Sequence, residues 1–149
     1  MAIARGAGTE IIRSIHLEDV DNTGRVLIFG VVHHIYTVIS VIANAFALNA
    51  DTDYITMYLI GYDANAGTTA QPFYIFQQDM SVEQTYVWND KFSFNGTEPV
   101  DFTAGIDSVA KQDAIADQGS AVVQYLNIAA EHGSDNIDVT CTYLDQNNA

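Results

Sequence analysis

Alternating apolar and polar residues, broken by turn residues about every ten positions, predict a chain built from short β-strands. Valine, isoleucine, threonine and aromatic residues dominate these segments, as they do in strands generally. The pattern is typical of one all-β domain, an antiparallel β-sandwich that is jelly-roll-like. The main predicted strands are Arg25–Phe29, Ile35–Asn44, Tyr54–Tyr62, Pro72–Gln77, Thr85–Trp88, Lys91–Phe94, Ser120–Ala129 and Asn136–Leu144.

Two segments carry more local signals. Asn89 and Asp90 favour a tight turn, so Thr85–Trp88 and Lys91–Phe94 are predicted to pair with each other as a hairpin. Ala104–Gly119 has apolar residues at helix-like spacing and predicts either a short helix or a long loop.

The segment Ile35–Asn44 is apolar on both of its predicted faces. Strict alternation places Ile35, Ile39 and Val41 on one face, and Tyr36, Val38 and Ile42 on the other. One face of a half-solvated antiparallel sheet is normally polar, so an arm, another sheet layer or a second subunit must cover the extra face. The sequence therefore predicts a dimer or trimer, with Ile39 and Val41 in contact with a partner.

Residues 1–14 are predicted to form an extended N-terminal arm, followed by a single β-sandwich domain over residues 15–149. The segment carries Arg5 and Arg13, while Ile11 and Ile12 supply apolar anchors. Such an arm can add a strand to the open sheet edge of a neighbour. The alternative is a disordered terminus.

The charge of the chain restricts its partners. There are 19 acidic and 5 basic residues, which gives a net charge of −14. After Arg25 the only basic residues are Lys91 and Lys111. A surface this negative repels phosphate backbones and anionic lipid, so the sequence predicts neither nucleic acid nor membrane as a partner.

The apolar segment Val26–Ala43 approaches the length of a membrane-spanning helix. His33 and His34 lie in its middle, where polar side chains are costly in hydrocarbon, so buried strands are expected instead. The first residues lack the apolar core of a secretory signal, so we expect synthesis in the cytoplasm.

Candidate metal ligands are few. The sequence Asp19-Val-Asp21-Asn-Thr23-Gly24 resembles the start of a calcium loop, but Gly30 stands where a bidentate glutamate is required, so a plain turn is expected. The adjacent His33 and His34 point to opposite sides of an extended chain and cannot share a metal.

No catalytic constellation is recognisable in the sequence. There is no nucleophile elbow and no glycine-rich phosphate loop, and the carboxylates are scattered through turns. The single cysteine, Cys141, lies between β-formers and is expected to be a small buried residue. We therefore predict a non-enzyme with no catalytic residues, no cofactor and no metal site.

The series V-L-I-F-x-V-V-x-H-x-Y-T-V-x-S-V-x-x-N over Val26–Asn44 resembles the opening hairpin of small all-β virion proteins of tailed bacteriophages. Thr85–Phe94, Val122–Leu126 and Ile137–Leu144 resemble later strands of the same proteins. Many of these proteins coat the capsid as decoration (cement) proteins, while related sandwiches serve in tails and fibres. The resemblance is a pattern of strand types and carries over no functional residue.

Together these observations predict a structural protein of a virion, made in the host cytoplasm. The expected role is a capsid decoration protein that stabilises the shell by binding the major capsid protein or another virion protein. A tail, baseplate or fibre component is one alternative. A carbohydrate-binding, lectin-like domain is the other.

Overall fold

A computed structural model of the chain describes residues 8–63, 66–99, 107–117 and 121–148. Within these ranges the chain forms eleven strands and one helix. The elements are β1 (Thr9–Val20), β2 (Arg25–Phe29), β3 (His34–Ala47), β4 (Tyr54–Asp63), β5 (Thr68–Asp79), β6 (Thr85–Trp88), β7 (Phe92–Asn95), β8 (Thr97–Pro99), α1 (Val109–Asp117), β9 (Ala121–Val123), β10 (Tyr125–Ala130) and β11 (Asn136–Asn147).

The long strands form two sheets that pack face to face. Sheet A has the order β1-β11-β3-β6, with β7 also paired to β3, and sheet B has the order β2-β10-β4-β5. A short ladder joins β8 to β9, and the described pairings are antiparallel. The strands β1 to β4 alternate between the two sheets, which is the winding of a jelly roll. The predicted all-β antiparallel sandwich is confirmed.

The segment Thr9–Val20 is a strand of sheet A and not an arm. β1 pairs with β11 from Thr9, opposite Asn147, to Val20, opposite Ile137. Ile15 packs against the core, which ties this strand to the domain. The predicted boundary at residue 14 is therefore wrong for residues 9–14. Residues 1–7, which include Arg5, lie outside the described residues.

A β-bulge in β3 decides which of its side chains enter the core. The pairing of β3 with β11 shifts register between Ser40 and Val38, and a bulge of this kind exchanges the two faces of the strand beyond it. Val41 is consequently 0% exposed and Ile42 is 40% exposed. The predicted faces are thus reversed for these two residues, and Val41 is a core residue that no partner can reach. Ile39, at the bulge, is half-buried.

The predicted hairpin of Thr85–Trp88 with Lys91–Phe94 is wrong. β6 pairs with β3 over Val41–Asn44, and β7 pairs with β3 over Ile35–Val38. The two short strands therefore lie end to end along one neighbour, and the gap between them coincides with the bulge. Pairing with a long central strand replaces the local turn that Asn89 and Asp90 favour.

A row of aromatic rings closes the sandwich along the β5 edge of sheet B and the β6–β7 edge of sheet A. Phe76 of β5 stacks on Trp88 at 5.9 Å between ring centroids, and Trp88 meets Phe92 at 5.8 Å. The row continues through Phe94 to Tyr36, whose rings are 5.4 Å apart. Aromatic pairs at these separations add to the apolar area that the core buries.

Two glycines allow three backbone segments to cross at the β2–β3 end of the sandwich. The Gly30 N–H donates to the Gln124 carbonyl at 2.9 Å, and the Gln124 N–H donates to the Gly96 carbonyl at 2.9 Å. A Cβ atom on Gly30 would lie 2.0 Å from the Gly96 carbonyl oxygen. A Cβ atom on Gly96 would lie 2.2 Å from the Val31 carbonyl oxygen. Both positions therefore exclude any side chain.

The helix α1 lies within the segment for which a helix or a loop is predicted, and it buries none of its residues. Lys111 Nζ, in the helix, lies 2.7 Å from Asp107 Oδ1, four residues earlier in the chain. Among the described residues, the chain contains no helix with the length and apolar content needed to span a membrane.

Burial in sheet A controls the ionisation of Cys141 and Tyr36. Desolvation raises the pKa of Cys141 to about 12 and is the largest cause that raises the pKa of Tyr36 to about 12. Unfolding restores both groups to water, where they lose their protons at lower pH than in the folded chain. The folded state is therefore expected to lose stability as the pH rises from about 9 towards 12.

We predict that the Cys141 thiol resists alkylation in the folded protein at pH 8 and reacts quickly in denaturant. Urea unfolding at pH 8 and pH 10.5 should show a loss of roughly 1–2 kcal/mol from the thiol. The variant Cys141→Ala has no ionisable thiol and removes that part of the loss. Rapid labelling of the native protein would contradict the burial of this thiol.

Candidate interaction surface

The outer face of sheet B is rich in aromatic side chains, although register shifts interrupt two of its strand pairings. In β10, Leu126 and Ile128 are fully buried between the sheets, which turns Tyr125 outward. In β4, Ile55 and Met57 are buried in the core. The alternate residues therefore face outward, and they are Tyr54, Thr56, Tyr58 and Ile60.

The outward rings form two pairs across neighbouring strands. Phe29 stacks on Tyr125 at 5.9 Å, and Tyr58 lies 5.8 Å from Tyr74. Phe29 and Tyr74 are each 61% exposed. With Tyr54, these five residues are named the aromatic face. An exposed cluster of rings on one side of a sheet marks an interaction surface more often than a plain solvated face.

A shallow groove of about 460 Å³ runs over the β4–β5 half of the aromatic face. Its lining contains Tyr54, Tyr58 and Tyr74, and Glu131 is the charged residue among its lining side chains in the described chain. Beside this groove, Asn127 has a buried Oδ1 atom with no hydrogen-bond partner among the described residues. The groove thus combines apolar rings with one unsatisfied acceptor nearby, in a protein that is elsewhere strongly acidic.

The outer face of sheet A is different in chemistry. Its hydroxyl groups bond across strands, with Ser14 Oγ 3.3 Å from Thr142 Oγ1 and Thr37 Oγ1 2.8 Å from Ser93 Oγ. Exposed apolar residues also lie on this face: Ile42 and Val87 lie opposite each other on β3 and β6, and Phe46 is 69% exposed. This face therefore mixes hydroxyl and apolar side chains, and it lacks paired exposed rings in the part of the chain that the structure describes.

The predicted partner-binding residues of β1 lie on both faces of the strand. Arg13 faces inward at the sheet edge, and its Nη1 atom donates to Asp145 Oδ2 at 3.1 Å. That hydrogen bond is the main cause that raises the pKa of Arg13. Ile12 is 69% exposed and Ile11 41% exposed. Alternation places Ile11 and Ile12 on opposite faces of the strand, so they do not form one anchor.

One member of the adjacent histidine pair, His34, has a clear structural role. His34 Nδ1 contacts Asp145 Oδ1, so the buried Asp145 carboxylate receives His34 and Arg13 on its two oxygens. His33 takes a positive φ of 67° in the turn before β3. A buried carboxylate with two such partners satisfies its hydrogen-bonding capacity at this end of the sandwich.

The calcium-like segment after β1 forms a turn. Asp21 Oδ1 accepts the Thr23 N–H at 2.8 Å, and Asp19 has a positive φ of 56°. The donors that do converge are Asp53, Glu131 and His132, whose ligand atoms lie within 4.8 Å of one another. They belong to two loops that are far apart in sequence.

Neither the aromatic face nor this convergence was found from the sequence. The signal for the first is present in the spacing Tyr54-x-Thr56-x-Tyr58, where aromatic residues occupy the positions that a half-buried strand turns to solvent. The spacing of residues along the sequence gives no signal for the convergence of Asp53, Glu131 and His132. Asp53 and Glu131 are brought together only by the pairing of β4 with β10.

No protein-family model matches the chain, and no curated protein matches it. A solved structure described as "Bacillus endospore appendages form a novel family of disulfide-linked pili" is similar with a TM-score of 0.44 and 9% sequence identity. The alignment covers 100% of this chain and 97% of that one. The likeness is too distant to carry an argument about function.

Proposed function

We propose that the chain is a non-enzymatic structural protein that assembles through protein–protein contacts, with the aromatic face as the contact between copies. The observation that carries this proposal is the exposure of paired rings on one side of an otherwise complete sandwich. Phe29 and Tyr74 each leave 61% of their surface in solvent. Burying such rings removes a large apolar area from water, which favours association.

The charge of the molecule favours this face over others for contact between copies. Two chains that each carry −14 repel one another at low ionic strength. A contact therefore forms most easily where the surface carries few charges, and the five residues of the aromatic face carry none at neutral pH. Glu131 lies at one end of the groove, where it can remain at the rim of an interface.

In its finer form, the proposal is a capsid decoration protein of a tailed bacteriophage. The sandwich would stand on the outside of the shell as an oligomer and bind the major capsid protein, which favours the assembled state by mass action. The resemblance of Val26–Asn44 to phage virion proteins supports this form. Immunogold labelling of purified virions tests it, since label over the tail instead of the capsid would assign the tail alternative.

The contact between copies is tested by light scattering after size-exclusion chromatography at micromolar concentration. The double variant Phe29→Asp/Tyr74→Asp is expected to weaken association by about 2 kcal/mol or more, roughly thirty-fold in dissociation constant, since central aromatic residues dominate interfaces. Circular dichroism should show an unchanged fold, because both side chains are already exposed.

Phe46→Asp is the matched control, since Phe46 is 69% exposed on the outer face of sheet A. It should leave the mass of the oligomer unchanged. If Phe46→Asp alone dissociates the oligomer, the contact between copies lies on the outer face of sheet A instead. A wild-type protein that stays monomeric would refute self-association, and binding to a glycan array that Phe29→Asp/Tyr74→Asp removes would favour the lectin-like alternative.

A further inference from the structure

Three metal-binding side chains meet at one end of the sandwich, away from the paired rings of the aromatic face. Asp53 immediately precedes β4, while Glu131 and His132 immediately follow β10. The two strands are antiparallel neighbours, with Ala130 opposite Ile55. The start of one strand and the end of the other therefore lie side by side, which brings one donor from the first loop and two from the second together.

Backbone amides hold both carboxylates in place by one oxygen each. Asp53 Oδ2 accepts the Ala50 N–H at 2.9 Å, and Glu131 Oε2 accepts the Tyr54 N–H at 3.3 Å. A carboxylate fixed by one oxygen keeps a preferred direction for the other, as the outer hydrogen bonds of metal ligands do.

A further carboxylate, that of the buried Asp135, joins the two loops to each other. Asp135 is 1% exposed. Its Oδ1 atom accepts the Asn49 N–H at 2.8 Å, and its Oδ2 atom accepts the His132 N–H at 2.9 Å. The backbone of His132 is thereby fixed relative to the loop that carries Asp53. This cross-link between loops positions the imidazole without using any of its nitrogens.

The remaining oxygen of Asp53 points into the cluster without a hydrogen bond. Asp53 is 4% exposed, and among the described residues no hydrogen bond reaches its Oδ1 atom. His132 Nε2 lies 3.7 Å from this oxygen, which is too long for a hydrogen bond. A carboxylate oxygen without a hydrogen bond is available to a cation.

The spacing suits a small metal ion. Ligands bound to tetrahedral zinc at about 2.0–2.2 Å stand roughly 3.4 Å from one another. Asp53 Oδ1 and His132 Nε2, 3.7 Å apart, are already close to that separation, and all three ligand atoms lie within 4.8 Å of one another.

We infer that Asp53, Glu131 and His132 bind one divalent ion of the zinc type per chain, with water in the open fourth position. An imidazole nitrogen in the donor set favours zinc and its neighbours over calcium and magnesium, which prefer oxygen ligands alone. Two carboxylates and a neutral imidazole neutralise the charge of a divalent ion. The inference departs from the sequence-based expectation of no metal site and does not depend on the proposed assembly.

Calorimetric titration of chelator-treated, full-length protein with zinc chloride tests the inference directly. The expected result is one zinc per chain with a dissociation constant in the micromolar range or below, and no comparable heat with magnesium or calcium chloride. In thermal unfolding, free zinc at one hundred times its dissociation constant should raise the ratio of folded to unfolded protein about a hundred-fold.

The variants His132→Gln and Glu131→Gln remove ligands whose side chains are at least partly exposed, so the fold is retained. Each should weaken zinc binding at least ten-fold. His16→Gln is the matched control, because His16 Nε2 lies 3.8 Å from Glu18 Oε1 at an exposed site without a third ligand. Equal zinc binding by wild type and His132→Gln, loss of binding in His16→Gln, or no zinc binding at all would each overturn the inference.

Discussion

Replacing Gly30 by alanine is expected to destabilise the protein by about 3 kcal/mol or more, and to prevent stable folding if the domain has ordinary stability. The added Cβ atom would meet two backbone atoms, the Gly96 oxygen at 2.0 Å and the Gln124 oxygen at 2.4 Å. Backbone at a three-segment crossing cannot move aside as a flexible side chain can. Relief of the clash requires loss of the hydrogen bond from Gly30 to Gln124.

Chemical denaturation followed by circular dichroism measures this loss of stability. Gly133→Ala is the matched control, because its Cβ atom would stand 3.5 Å from the nearest atom, Asn22 Oδ1, an ordinary contact distance. The control should change stability by about 0.5 kcal/mol at most, as surface substitutions do. A Gly30→Ala protein as stable as Gly133→Ala would show that the crossing is looser than described.

Replacing Val41 by aspartate is expected to cost about 3–5 kcal/mol of stability, because it places an unpaired carboxylate in the core. Val41 is 0% exposed and faces sheet B, beyond the bulge in β3. Proton uptake by the new carboxyl group would lessen the loss but still leave a buried polar group without a partner. The expected outcome is unfolded or aggregated protein and not a folded monomer.

The neighbouring substitution Ile42→Asp is the direct comparison for Val41→Asp. Ile42 is 40% exposed on the outer face of sheet A, so this change should cost no more than about 1 kcal/mol. Soluble yield and circular dichroism report on Val41→Asp, and the urea midpoint relative to wild type measures the cost of Ile42→Asp. The unbroken alternation of the sequence predicts the opposite order of effects, with Ile42→Asp the damaging change, and that order would show that the bulge is absent.

The two proposed sites adjoin at one end of sheet B, but their tests measure different properties, association and zinc binding. The aromatic face depends on outward positions of β2, β4, β5 and β10, while the metal ligands lie in loops at the end of β10 and the start of β4. Glu131 is common to the groove and the ligand set. Glu131→Gln should therefore weaken zinc binding without dissociating oligomers, since rim residues contribute little to binding energy.

The sequence by itself determined the class of the fold and most of its strands. Alternation of apolar and polar residues is a local property of each strand, so β2, β4 and β11 were predicted close to their observed bounds. The burial of Cys141 followed from its β-forming neighbours in the same way. The period of two is most regular in β11, which alternates between half-buried and buried residues from Asn136 to Asp145.

Only the tertiary structure decided the rest, because each remaining feature depends on a neighbour distant in sequence. The register of β3 against β11 places the bulge and so selects Val41 for the core over Ile42. Pairing with β11 makes residues 9–14 a strand, and pairing with β3 separates β6 from β7. The antiparallel pairing of β4 with β10 assembles the donors Asp53, Glu131 and His132, since hydrogen bonds between strands link residues without regard to their separation along the chain.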